Sequence, residues 1–357
     1  MVNGDEPAES ERHLASHIFN FAVMMVGGVA LWWMLSHLGG AEFFGQLRSI
    51  GWWFVVVVGL DLVALCMDAA ALNTFMRPEA RMISYWRVLG AQASGRAINV
   101  LTPGGALGEA TKLSMLVGHA PKTRVLSSLV LLNLTQVYLS VIMMCIGTPI
   151  MFLLVDIPHS LKVVIALGFA ILIPLMILLG IMIHRGAVTT VVVLVRRTRL
   201  ISAERADSWK QRLVDVDRHI RELHRKRSAG TWKGILWVFA SRLVSTVAAM
   251  ILMDAAGLTL SAALVIGTLS VGVLITWGAA VIPMGIGLAD GGNYALFDLV
   301  GATGATGVVI TMLNRGRTVI VAILGLLAMA AINVANRVAQ ARIDRKLRAM
   351  RQRLQAR

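Results

Sequence analysis

Cysteine is nearly absent from this chain: of 357 residues only Cys66 and Cys145 carry a thiol. Both lie inside apolar runs, and no Cys/His group has zinc-like spacing, so neither a disulfide framework nor a metal site is expected. Charge is scarce too. Asp, Glu, Lys and Arg make up 15% of the residues against 57% hydrophobic, and the mean hydropathy is +0.73. That balance excludes a soluble domain of this size, and several runs approach or exceed the length needed to span a bilayer. Negative charge is the scarcer sign: 34 Lys and Arg stand against 19 Asp and Glu. In a soluble protein that surplus would suggest nucleic acid. Here the basic residues crowd loops and the tail, where they mark the cytoplasmic side and attract anionic lipid heads, so no nucleic-acid partner is expected. No nucleotide-binding loop, catalytic triad, metal set or activated nucleophile is legible, so no cofactor and no enzymatic activity are expected.

What is present is an all-α polytopic membrane pattern. The apolar run from Ile18 to Leu38 is too long for a signal-peptide core and reads as an uncleaved first span. Further spans read at Gly51–Phe75, Val125–Val155, Leu161–His184, Trp232–Ala255 and Val308–Val334. Trp32, Trp33, Trp52 and Trp53 at facing ends fit one aromatic belt. Asp61 and Asp68 in the second span must face protein or water rather than lipid. The third span is long enough to be tilted, or interrupted near Gly147, Thr148 and Pro149. Trp209, Leu213, Val216, Ile220 and Leu223 form one apolar stripe in a basic segment, as on a cytoplasmic surface helix.

Two segments are too broken and too polar to be spans. The first holds Arg96, Asn99, Thr102, Pro103, Gly104, Gly105, Gly108, Glu109 and Lys112; the second holds Pro283, Gly285, Gly287, Asp290, Gly291, Gly292 and Asn293. Proline removes a backbone donor, glycine lets the chain turn, and the charged groups are costly near lipid. Each reads as the turn of a re-entrant pair of half-helices, survivable at depth only if protein buries it or a wet cavity meets it. Between Leu243 and Asn314 there is no Lys or Arg, nor any between Val125 and Leu161, as expected of external segments. The first pair then enters from the cytoplasm and the second from outside, which is the arrangement of an inverted repeat. If Leu260–Val281 is instead a complete span, one end of the chain must flip.

The expected architecture is about six full spans plus two re-entrant half-helix pairs. Residues 1–184 form the first half with its re-entrant segment at about 82–118. A basic cytoplasmic helix follows at 185–231, a second half at 232–335 with its re-entrant segment at about 258–304, and a basic cytoplasmic tail at 336–357.

At these motifs the chain resembles the lysylphosphatidylglycerol synthase transmembrane-region family, also called the flippase-like domain family. Arg96, Asn99, Pro103, Gly105, Gly108 and Glu109 carry the resemblance in the first half; Pro283, Gly285, Gly287, Asp290, Phe297, Gly301 and Arg315 carry it in the second. The resemblance covers nearly the whole chain. It implies a bacterial inner-membrane lipid translocator, or a lipid-handling partner of a biosynthetic pathway, with both termini cytoplasmic. Family members that make lysylphosphatidylglycerol join this region to a soluble aminoacyl-transferase domain, and none is legible up to Arg357, so the synthase activity is not expected. Asp290 stands where glutamate is expected, and a glycine pair follows it.

Candidate substrate-binding residues follow from the polar segments. Glu109 and Asp290 suit a cationic headgroup group or proton coupling, and equally a helix-start cap or a pair with a nearby arginine. Arg96, Arg242 and Arg315 suit a lipid phosphate, or internal ion pairs with Asp61, Glu109 or Asp290. Gly104, Gly105, Gly285 and Gly287 permit turns, anion contact through backbone N–H groups, or tight packing. Asn99, Thr102 and Asn293 line a cavity or serve as structural hydrogen-bonders. Lys112 and Arg317 read as snorkelling cations. The leading expectation is a translocator of a phospholipid, glycolipid, hopanoid or polyprenyl-linked lipid with a charged headgroup. The alternatives are a non-catalytic partner of a lipid or cell-envelope biosynthetic enzyme, and an intramembrane enzyme acting on lipid-linked phosphate.

Overall fold

The computed structural model describes residues 40–77, 83–102, 106–156, 228–280 and 287–355, with scattered positions at 25 and between 158 and 177. Ile18–Leu38, most of Leu161–His184, the Trp209–Leu223 stripe, Pro103–Gly105, Pro283 and Gly285 lie outside the described residues. The described elements are all helical. Helix α1 (Gly40–Ile50) ends at Gly51, whose φ of 60° lets the chain swing into α2 (Trp52–Met76). Helices α3 (Tyr85–Leu101) and α4 (Ala106–Val117) flank the first broken segment. Then come α5 (Lys122–Leu154), α6 (Ser228–Ala255), α7 (Ala262–Ala279), α8 (Leu288–Leu299) and α9 (Gly304–Gln355).

Five of these are long and apolar enough to cross a membrane: Trp52–Met76, Lys122–Leu154, Gly230–Ala255, Ala262–Ala279 and Gly304–Ala335. The chain is a multi-pass helical membrane protein. One choice left open by the sequence is decided, and two details differ from its expectation. Helix α5 runs unbroken through Gly147 and Thr148, with Pro149 inside it; the proline forfeits one backbone bond near the helix end, where the cost is small. Asp290, Gly291 and Gly292 belong to the first turns of α8 rather than to a break, and the tail continues α9 as one helix of 52 residues. Helix α7 has 18 residues, roughly 27 Å at 1.5 Å per residue, close to a hydrocarbon core of about 30 Å.

Small side chains let the helices approach. A Cβ on Gly325 of α9 would collide with the carbonyl of Ala93 on α3, and one on Gly90 of α3 with Ile332 of α9. Ser241 donates to the Ala64 carbonyl at 3.0 Å, tying α6 to α2. Buried Arg124 donates to the carbonyls of Phe75, Met76 and Arg77 at 3.0, 3.3 and 2.7 Å, closing the C-terminal end of α2 with a cation.

Among the described residues the packing has two large apolar cores with polar residues between them, and a smaller cluster around Val141 and Met144. One core gathers Phe54, Val57, Leu252, Leu264, Phe297 and Leu313; the other gathers Leu72, Phe75, Leu116, Leu132, Val238 and Met329. On α2 the stretch between Val57 and Leu72 carries Asp61 and Asp68. On α6 the stretch between Val238 and Leu252 carries Ser241, Arg242 and Ser245. On α9 Arg317 and Thr318 fall between Leu313 and Met329. Bundles of crossing helices thus enclose a polar middle layer.

Candidate functional site

The site is built on α3. Gln92, Arg96 and Asn99 recur at steps of four and three, so they share one helix face. That face meets Glu109 and Lys112 of α4, because a Cβ on Gly108 would collide with Asn99 and with the Gly95 carbonyl: glycine lets the two half-helices touch there. Asn99 Nδ2 donates to Glu109 Oε1 at 3.2 Å, and Lys112 Nζ donates to the same oxygen at 2.7 Å. Lys112 is buried, 4% exposed, so it does not snorkel; it is the internal partner of Glu109.

These side chains wall a polar cavity of about 190 Å³. Asp68 of α2, Asn133 and Gln136 of α5, and Ser241, Arg242 and Ser245 of α6 complete the lining. Arg242 donates to Ser140 Oγ at 3.1 Å. Four acceptor oxygens around the cavity are buried with no hydrogen-bond partner among the described residues: Asp68 Oδ1, Gln92 Oε1, Asn99 Oδ1 and Glu109 Oε2. Buried acceptors left unmatched are costly, and a donor-bearing ligand or ordered water relieves that cost.

A second cavity of about 130 Å³ lies on the other side of Arg96, lined by Asp61, Arg96, Arg317 and Thr318 among others. Arg317 Nε lies 3.5 Å from Asp61 Oδ2, and Arg317 Nη1 is buried without a hydrogen-bond partner among the described residues. Arg96 is the shared wall. It is half-buried and makes no hydrogen bond or ion pair among the described residues. Across both cavities the cations are Arg96, Lys112, Arg242 and Arg317, against the carboxylates Asp61, Asp68 and Glu109. The balance leaves positive charge for an anion.

The second polar segment forms its own cluster. Asp290 Oδ2 accepts from the Gly287 N–H at 2.9 Å and from Arg315 Nη2 at 2.8 Å. Gly287 has φ 84°, a conformation that favours glycine. Asn293 Nδ2 donates to Thr311 Oγ1 at 2.8 Å. So Asp290 both caps α8 and pairs with an arginine. Of the sequence candidates, the structure brings Arg96, Asn99, Glu109 and Arg242 to one cavity. Gly287, Asp290, Asn293 and Arg315 gather around the start of α8, and none of them lines either Arg96 cavity. Thr102 turns its hydroxyl to the Ile98 carbonyl at 2.7 Å, and Gly104, Gly105 and Gly285 lie outside the described residues.

Sequence reasoning missed Gln92, Asn133, Gln136, Ser241 and Ser245, and it treated Arg317 as peripheral. The available signal was spacing. Gln92–Arg96–Asn99, Asn133–Gln136 and Ser241–Ser245 are polar pairs or triplets at three- and four-residue steps in apolar helices.

A polytopic helical bundle with a charged cavity between apolar cores defines the class, a membrane protein with a polar site inside its transmembrane region. A family model, the lysylphosphatidylglycerol synthase TM region, matches residues 18–325, and the chain belongs to that family. The family is a membrane domain associated with lipid-related functions. Neither the curated proteins nor the solved structures include a match to this chain.

Proposed function

We propose that this protein is a lipid translocator whose substrate headgroup enters the Arg96 cavity. The observation that carries the reading is Arg96 itself. This guanidinium lies within a transmembrane bundle, walls two polar cavities, and has no hydrogen-bonding acceptor among the described residues. Ionisable groups at such depth mark pathways, and guanidinium binds phosphate bidentately and stays charged. The headgroup phosphate meets Arg96 with Arg317 or Arg242 close by. The headgroup's donors meet the unmatched oxygens of Asp68, Gln92, Asn99 and Glu109. The hydrocarbon stays in the bilayer.

The reading is non-enzymatic. It places the protein in a bacterial inner membrane with both termini cytoplasmic, which the Lys- and Arg-rich segments 185–231 and 336–357 support by their charge bias. A lipid-biosynthetic enzyme supplying the substrate is the partner that fits.

The test is transbilayer movement of a fluorescent phosphatidylglycerol in proteoliposomes, read by chemical quenching of the outer leaflet. Wild type is expected to expose inner-leaflet probe, Arg96→Gln to lose that activity, and Arg96→Lys to keep a part of it. Full activity in Arg96→Gln, with a folded monodisperse protein, overturns the assignment.

A further inference from the structure

Beside the polar cavities lies a third space of a different kind. It is an apolar groove of about 510 Å³ between α2, α3 and α9, lined by Leu65, Leu89, Ala93, Leu324 and Ala328 among others. Its size falls in the range of sites for small ligands. Its floor is closed, because α3 and α9 touch at Gly90 and Gly325, where a Cβ would strike Ile332 and Ala93. Ser94 of α3 lies at the same contact, its hydroxyl donating to the Gly325 carbonyl of α9 at 3.4 Å. At the rim Trp86 is 74% exposed.

The groove is not isolated. Val321 lines it and also lines the Arg96–Arg317 cavity. Arg96 in turn joins that cavity to the larger polar one. A hydrocarbon surface, a cavity walled by Arg96 and Arg317, and a cavity with donor-seeking oxygens therefore adjoin in turn around α3 and its contact with α9. That is the order of parts in a phospholipid: chain, phosphate, headgroup.

We infer that the groove seats one acyl chain of the lipid whose phosphate lies between Arg96 and Arg317. This rests on the translocator reading and adds that the substrate enters sideways between α2 and α9 with one chain held against the bundle. Moving a chain from lipid to an apolar groove gains little from hydrophobic transfer, since both surroundings are apolar. The groove therefore acts through shape. It fixes where the chain lies and lets the arginines select which lipid lies there.

The experiment uses the full-length protein in phosphatidylcholine nanodiscs with a trace of phosphatidylglycerol carrying a diazirine near the end of one acyl chain. After irradiation the labelled residues are mapped by peptide mass spectrometry. Labelling at Leu89, Leu324 or Ala328 is expected to exceed that at the lipid-facing controls Leu236 and Leu243 by about tenfold, the ratio set by a preference of about 1.4 kcal/mol. Ala328→Trp fills the groove and is expected to abolish the excess. Leu324→Trp, at a 40% exposed position, is the second variant should the first fail to fold. Arg96→Gln, which breaks no internal pair among the described residues, is expected to abolish the excess as well, since the chain is held there by its phosphate.

Binding of water-soluble glycerophosphoglycerol to the same protein separates the two readings. If it binds wild type and Ala328→Trp alike while the groove excess is lost, the inference stands. If it binds but labelling is uniform over the lipid-facing surface, the groove inference is overturned and the translocator reading survives. If groove labelling persists in Arg96→Gln and glycerophosphoglycerol does not bind, both fail, because the groove then holds bulk lipid only.

Discussion

Arg317 of α9 lies 3.5 Å from Asp61 of α2, and the two side chains are only 19% and 5% exposed. The pair joins two membrane spans within the polar layer between the apolar cores. Removing one member leaves the other charge buried and unmatched, which typically costs about 3–5 kcal/mol, whereas removing both together costs far less. Asp61→Asn and Arg317→Gln are each expected to lower the thermal midpoint of the detergent-solubilised protein strongly, and the double variant to recover most of the loss. A double variant as unstable as the sum of its singles means that the two groups do not interact.

The start of α8 makes a graded case. Asp290 accepts one bond from a backbone N–H and another from Arg315. Asparagine keeps an oxygen that caps the helix and loses only the charge on the arginine. Alanine loses both. Asp290→Ala is therefore expected to destabilise more than Asp290→Asn, by about 1 kcal/mol, the worth of a cap. Equal effects in denaturant titrations count against the cap.

Much of this fold was legible from residue type alone. Apolar runs set α2, α5, α6 and the membrane-spanning part of α9, Gly304–Ala335, to within a few residues, because lipid tolerates only continuous helix or closed barrel. The break in the first polar segment was legible, with one helix before it, Tyr85–Leu101, and one after it, Ala106–Val117, because proline and glycine punctuate it. In the second, the cap and the arginine pair of Asp290 were among the readings the sequence offered, whereas Gly291 and Gly292 were placed in the break and belong to the first turns of α8. The site was half legible. Arg96, Asn99, Glu109 and Arg242 stood out by charge or motif, whereas Gln92, Asn133, Gln136 and Ser245 became site residues only when five helices packed around one cavity. Which arginine pairs with which carboxylate is a property of tertiary packing, and no spacing in the sequence encodes it.

Gly108 tests whether the contact between the half-helices matters. A methyl group there strikes Asn99 and the Gly95 carbonyl, one of them backbone that cannot move aside cheaply. Overpacking of this kind costs about 1–3 kcal/mol. Gly108→Ala is expected to lower both stability and lipid movement. Gly118→Ala, where nothing lies within 4 Å of the added carbon, is expected to leave both unchanged. Wild-type transport in Gly108→Ala means that Asn99 and Glu109 need not meet.

Glu109 separates a structural role from a ligand-binding one. Its Oε1 is used twice inside the protein, by Asn99 and Lys112, while its Oε2 is buried with no partner among the described residues. Glutamine keeps an acceptor oxygen for Asn99 and Lys112 and places an amide, which donates, where Oε2 was. A purely structural Glu109 is then replaced at small cost in stability and none in transport. A Glu109 whose second oxygen receives a donor from the lipid headgroup meets that donor with another, and a charge-assisted bond of about 1.5–3 kcal/mol is lost. Glu109→Gln is therefore expected to weaken headgroup binding about ten- to a hundredfold while the melting midpoint moves little. Lys112→Gln, whose ammonium touches only Glu109 among the described residues, is expected to weaken it less. Equal losses in the two variants would mean that the Glu109–Lys112 pair acts only as a unit, and that its free oxygen faces no ligand.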